Sequence, residues 1–129
     1  NGSHEQPVHF LQIWILPNVV GIPAGYEEKR FGEDEKRGRL RLIAAPGGAQ
    51  GSVHIHQDAQ VYAGLFDGAE SLELPLDPAR RSYLHLVRGR LTVNGQRLSC
   101  GDAAALQQES HLALAEGQDA EVIVFDLAA

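Results

Sequence analysis

Short runs in which apolar residues alternate with polar ones, each closed by a turn signal, dominate this 129-residue sequence. Because successive side chains of a strand point to opposite sides, period-two alternation predicts strands with one face on a core. The strongest hairpin signal is Asn94-Gly95, since both residues tolerate the positive φ angles of a two-residue turn. With no helix of consequence, the pattern predicts an all-β sandwich or barrel of roughly ten strands.

The expected strands are short and regularly spaced. After the first, they are 39–44, 53–55, 61–65, 70–74, 83–87, 90–93, 96–99, 104–106, 111–115 and 120–127. Gly89 is expected to end one of these strands, and residues 116–119 are expected to form a turn between the last two.

The first run differs, because His9 to Leu16 is apolar on both faces and stops at Pro17. A strand of this kind needs cover on both sides. Residues 19–30 then form a connector interrupted by Pro and Gly, and the charged runs at 27–30 and 33–37 are expected to be solvated turns.

Composition excludes several classes of protein. With 11 Lys and Arg against 17 Asp and Glu, the formal charge is −6 and the basic residues form no patch, so no nucleic acid is expected as a partner. No apolar run approaches the ~18 residues of a membrane span, and no signal peptide opens the chain. The single Cys100 fits a reducing compartment, so a cytoplasmic location is expected.

The chain begins at Asn1 and contains no methionine, which indicates a piece of a longer protein. Gly2, Ser3 and His4 fit either a native start or one left by cloning.

Several stretches resemble the C-terminal half of bacterial pirin-like bicupin proteins, some of which are described as quercetin 2,3-dioxygenases. The stretches that carry the resemblance are 7–15, 55–59 with Tyr62, 83–89, Asn94-Gly95, 101–106 and 121–127. The resemblance implies a cupin-type double-stranded β-helix, a jelly-roll-like barrel, over residues 19–129. It also implies that residues 1–18 are a linking strand that belongs to a missing N-terminal barrel.

In that family the N-terminal barrel carries an iron-type divalent metal, held by three histidines and a glutamate. Aligned on Gly89, the resemblance places Pro75 and Asp77 where two of these histidines stand, and Arg81 at an acidic or Thr-rich strand start. A proline cannot ligate a metal, and an arginine repels one. We therefore expect no catalytic, cofactor-binding or metal-binding residue in this chain, and no cofactor.

His54 and His56 form a His-x-His pair, whose spacing puts both imidazoles on one face of a strand. No glutamate follows at the cupin spacing, and Val53 and Ile55 are the better core residues. The pair is therefore expected to face solvent, and its capture of a metal ion is left open.

The other candidates receive structural interpretations. His85 is expected to be hydrogen-bonded within the barrel, and His111 to be an edge residue. Cys100 has no acid or base partner nearby in the sequence, which argues against a nucleophile. Asp58 and Asp102 are expected to accept hydrogen bonds from backbone N–H groups in turns.

Three functions follow. The leading one is a non-catalytic, metal-free C-terminal cupin domain, the structural partner of a metal-bearing N-terminal cupin. The first alternative is a quercetin 2,3-dioxygenase-type activity that belongs to the full-length parent. The second is a small-molecule binding module with a pocket lined by Tyr62 and His85. The expected partner is the N-terminal barrel or a second copy of the chain, contacted through Phe10–Leu16, with no membrane involved.

Overall fold

The computed structural model describes all 129 residues, and their regular structure is almost entirely strand. The eight strands are β1 (Leu40–Ala45), β2 (Val53–His54), β3 (Ala59–Phe66), β4 (Leu72–Pro75), β5 (Arg81–Val93), β6 (Gln96–Ser99), β7 (Ala103–Gln107) and β8 (His111–Leu127). One short helix, α1 (Glu33–Lys36), precedes them, and a 3-10 segment, Pro46–Gly51, joins β1 to β2. The all-β expectation is confirmed, and no helix is long and apolar enough to cross a membrane.

The strands form one mixed sheet in the order β2-β1-β3-β8-β5-β6, with β4 added to β8 and β7 added to β5. Only β1 and β2 are parallel. The sheet folds over on itself rather than closing, and side chains from both halves meet in one core. That core consists of Phe66, Leu84, Leu86, Leu91, Val93, Leu106, Leu112, Leu114, Ala120, Val122 and Val124.

Gly89 bends β5 instead of ending it. The predicted strands 83–87 and 90–93 are one strand of 13 residues, and 111–115 and 120–127 are likewise joined in β8. The pairing of β5 with β8 shifts register on both sides of Gly89, which absorbs the bend without breaking the ladder. Gly89 has a φ of 74°, and a Cβ built on it would lie 2.2 Å from the carbonyl oxygen of Gln118. Only glycine fits this crossing.

The prediction of a strand over His9–Leu16 is wrong for this chain, because the segment is extended but forms no ladder. It lies against the outer face of the central strands, where Leu11 and Ile13 share a groove with Val87 and Ile123. Those strands are already paired on both edges, so a segment on their face has no backbone groups to bond.

The charged run at 33–37 forms the single turn α1 rather than an irregular loop. The Glu35 carboxylate accepts a hydrogen bond from the Gly32 N–H at 2.8 Å, which satisfies a free donor at the helix start. The run remains at the surface, as expected for alternating charges.

Replacing Gly89 by alanine should destabilise the fold more than the same change at Gly95. Both glycines have positive φ angles, so each Gly→Ala change costs about 1–2 kcal/mol of left-handed backbone strain. A Cβ at Gly95 meets nothing within 4 Å, whereas one at Gly89 overlaps the β8 backbone. Urea unfolding of the two variants measures the difference, and equal losses of unfolding free energy would show that the crossing tolerates a side chain.

Candidate functional site

One end of the folded sheet keeps a cavity of about 450 Å³ within its inner face. Strands β1, β3, β4, β5 and β8 supply its walls, which are mostly apolar. The lining residues are Arg39, Leu40, Tyr62, Leu72, Leu74, Pro75, Leu76, Ser82, Leu112, Val124 and Asp126. Its size lies within the range of small-molecule sites, and its mostly apolar wall distinguishes it from the clefts beside Arg37 and His54, which are as large or larger, so this is the candidate site of the domain.

The polar groups of the cavity are few. Ser82 is only 7% exposed, and the Tyr62 hydroxyl donates a hydrogen bond to the Gln60 side chain. Burial raises the pKa of the Tyr62 phenol, and the nearby Asp126 carboxylate raises it further. Tyr62 is therefore a neutral hydroxyl at physiological pH.

Arg80 pairs with Asp126 of the cavity wall and with Asp58, which immediately precedes β3. Its Nε donates to the Asp126 carboxylate at 2.7 Å, and its Nη1 donates to the Asp58 carboxylate at 3.0 Å. These two bonds raise the pKa of Arg80 and lower that of Asp58. Arg81, which the family resemblance placed at a strand start, is the exposed first residue of β5 and takes no part in this bridge.

The expectation for Asp58 was also wrong, since its carboxylate pairs with Arg80 instead of capping backbone N–H groups. Asp102 does cap a turn, accepting from the Ser99 N–H at 2.8 Å. Asp77 accepts from the Ala79 N–H at 2.9 Å, and Pro75 lines the cavity.

His85 does not line the cavity, contrary to the expected pocket of Tyr62 and His85. Ser82, Leu84 and Leu86 point inward from β5, so strand alternation turns His85 to the outer face, beside Ile123 of β8. The expected hydrogen bond within the barrel is absent, because this half-buried imidazole is turned away from the barrel interior. A single-residue shift in the assumed inner face accounts for the error.

His111 and Cys100 lie at the surface. His111 is the exposed first residue of β8 and pairs with Pro75 of β4. The exposed Cys100 donates its thiol to the Val87 carbonyl at 3.3 Å. No acid or base contacts the sulfur, so the thiol has no partner for nucleophilic chemistry.

His54 and His56 lie together at the surface, with ring centroids 4.3 Å apart, and both are exposed as expected. His54 Nδ1 accepts from the Gly47 N–H at 2.6 Å, which leaves Nε2 as its free nitrogen. The nearby Glu27 carboxylate accepts from the His54 backbone N–H at 2.9 Å and pairs with Lys29 at 3.0 Å. These bonds lower the pKa of Glu27.

The residues present do not fit an iron-type metal. No group of three or more His, Cys, Asp or Glu side chains is placed to hold an ion anywhere in the chain. Asp126 supplies the only carboxylate of the cavity wall, and this carboxylate is paired with Arg80. A non-haem centre needs about three converging ligands, which neither the cavity nor the histidine pair supplies.

A family model described as the quercetinase C-terminal cupin domain matches residues 42–127. The chain belongs to this family. Quercetin 2,3-dioxygenase of Escherichia coli K12 is 33% identical over 127 residues, and a putative quercetin 2,3-dioxygenase of Pasteurella multocida is 37% identical over 129. Each match covers 98% of this chain and 54% of the relative, so the chain spans about half the length of these relatives.

The cupin fold is equally clear from solved structures. The crystal structure of YhhW from Escherichia coli superposes with a TM-score of 0.81 at 31% identity, covering 88% of this chain and 47% of YhhW. The same bacterial pirin has been solved in complex with nickel(II), again with a TM-score of 0.81. The resemblance to the pirin-like, quercetinase-like proteins is thus confirmed, and so is the cupin-type fold.

The Arg80 bridge should add pH-dependent stability. Arg80→Gln removes both bonds, and Arg81→Gln serves as the control because that neighbour is exposed and unpaired. Since Arg80 lowers the pKa of Asp58, its stabilisation is complete above the unfolded Asp pKa of about 3.9 and disappears as the pH falls through the lower folded value.

We expect Arg80→Gln to have a lower unfolding free energy than the unmodified chain at pH 7. The difference between the two should become smaller as the pH falls below about 4. Urea unfolding at pH 3, 5 and 7 measures it. A loss that is constant with pH, or one shared by Arg81→Gln, would contradict a role for the carboxylate bridge.

Proposed function

We propose that the chain acts as a non-catalytic, metal-free C-terminal cupin domain, which packs on a metal-bearing N-terminal cupin barrel and stabilises it. The observation that carries the proposal is the set of groups lining the cavity. It contains no histidine, and its one carboxylate is bonded to Arg80 at 2.7 Å.

Activation of molecular oxygen by a non-haem metal needs about three protein ligands and open positions beside them. A proline, Pro75, lines the cavity where the family resemblance places a histidine. The guanidinium of Arg80 adds a fixed positive charge close by, which further disfavours a divalent cation.

The relatives support a division of labour between two halves. The matched relatives are named as a quercetin 2,3-dioxygenase or a putative one and are about twice as long as this chain, and a bacterial pirin of similar fold has been solved with nickel(II). We infer that any dioxygenase activity of a full-length parent, with its iron-type divalent metal, resides in the N-terminal barrel. The exposed thiol of Cys100 is consistent with a cytoplasmic protein.

The outward side of the segment His9–Leu16 is the proposed contact with that barrel. Leu11 and Ile13 are 38% and 44% exposed, whereas Phe10, Trp14 and Leu16 are 73%, 83% and 79% exposed. Leu11 and Ile13 thus lie closer to the segment's own domain, whereas Trp14 and Leu16 face away and Phe10 borders the groove with most of its surface exposed. Burying each such side chain contributes about 1.5–3 kcal/mol, so covering all three offsets about 5–9 kcal/mol of an association cost of about 4–15 kcal/mol.

The chain alone should show no quercetinase activity. Oxygen consumption with a flavonol is measured after adding Fe²⁺, Cu²⁺, Ni²⁺ or Mn²⁺, with each free ion as the control. Because fewer than three ligands converge, we expect rates no higher than those of the free ions. Ring opening well above those rates would refute a non-catalytic domain.

Without an N-terminal barrel, the chain should associate with itself through Phe10, Trp14 and Leu16, since exposed apolar side chains recruit a second copy. Sedimentation at micromolar concentration should detect dimers. Trp14→Gln should raise the dissociation constant of the dimer by about tenfold. This corresponds to ~1.4 kcal/mol, which is within what burial of a large side chain contributes. Tyr26→Gln is the matched control, because Tyr26 is an equally exposed aromatic outside the segment.

An N-terminal cupin domain added in trans should compete with this dimer for the same surface. A chain that is monomeric at all concentrations and does not bind the added domain would remove the segment as a docking surface. So would dimers that Trp14→Gln and Tyr26→Gln weaken equally.

A further inference from the structure

We propose that the cavity binds a small organic monocarboxylate with an aromatic or aliphatic tail. The carboxylate would pair with Arg39, and the tail would lie among the leucines of β4 and β8. This site goes beyond the structural role proposed above and does not depend on it.

The cavity is an apolar cleft that opens to solvent beside Arg39 and Pro75, both of which are exposed. A volume of about 450 Å³ would hold on the order of ten waters, yet apolar side chains such as Leu72, Leu74 and Leu112 make up most of its wall. Filling such a space with an apolar group releases water from that wall, which is the main driving force of small-molecule binding.

Charge selects the head group of the ligand. Two charged residues line the cavity, Arg39 and Asp126. Asp126 is neutralised by Arg80 at 2.7 Å, whereas Arg39 belongs to none of the ion pairs of the structure. Arg39 is also exposed, which places a free guanidinium at the rim, where it can bind a carboxylate through two parallel hydrogen bonds.

The hydroxyl groups inside the cavity suit a carboxylate as well. Ser82 is nearly buried, and its hydroxyl is available as a donor because it takes part in none of the side-chain hydrogen bonds of the fold. Tyr62 remains a neutral phenol, since burial raises its pKa, and so it does not repel an anion. Arg39 is the one unpaired charged group of the wall, which favours a monoanion over a phosphate or a dicarboxylate.

Benzoate is the probe for the experiment, and benzyl alcohol is its uncharged match. Isothermal titration calorimetry of the unmodified chain should show saturable binding of benzoate that is tighter than that of benzyl alcohol. Arg39→Gln should weaken benzoate binding by at least about tenfold, the effect of losing a charged hydrogen bond, and leave benzyl alcohol unchanged. Arg97→Gln, an exposed arginine on β6, is the control and should bind both as the unmodified chain does.

Leu74→Trp fills the cavity and should abolish binding of both probes. Because this variant places a large side chain at a packed position, amide chemical shifts of the unmodified chain give a second measurement. Benzoate should change the amide chemical shifts of residues 72–76, which include β4, and not those of residues around His54. The absence of saturable binding, equal affinity in Arg39→Gln, or shifts confined to other surfaces would each overturn the proposal. None of these outcomes bears on metal or flavonol chemistry, so the two proposals fail separately.

Discussion

The pairing of β5 with β8 is the interaction on which the rest of the structure depends. It runs from Arg81 opposite Leu127 to Val93 opposite Leu114, and its register shifts where Gly89 meets the β8 backbone. The first half of β5 pairs with the second half of β8, and the second half of β5 pairs with the first half of β8. Both parts of the folded sheet, on either side of Gly89, are therefore built on the same two strands. The bend turns their apolar faces toward one another, and a single core results.

The local part of this architecture could be predicted from the sequence. Alternation located β1, β3, β6 and β7 to within about two residues, the usual uncertainty of strand ends, and Asn94-Gly95 marked the hairpin between β5 and β6. Gly89 was predicted to end a strand and residues 116–119 to form a turn, because glycine and polar turn residues most often end strands. In the structure both sites lie within continuous strands, β5 and β8, that pair with each other. A local sequence pattern does not contain the information that these two strands are partners.

The same limit applies to the candidate site. Arg80 bonds to Asp58, 22 positions earlier, and to Asp126, 46 positions later, so the bridge follows from strand register rather than from a motif. The family resemblance placed Pro75 at a histidine position, and Pro75 does line the cavity. The prediction of a cavity position failed for His85, where the choice of inner face at β5 decided whether a side chain reached the cavity. Tyr62 does line the cavity, as expected.

The central ladder also separates two surfaces of the domain. Ile123 and Val87 face outward beneath the segment His9–Leu16, whereas Val124 and Ser82 face inward and line the cavity. Adjacent residues of the same strands therefore lie on the side of the proposed docking surface and on the side of the proposed ligand pocket. Ile123 and Val124 of β8 pair with β3 on one edge and with β5 on the other, so the two surfaces are fixed to the same ladder. A domain built in this way suits a rigid support, whose pocket keeps its shape when the outer face is covered.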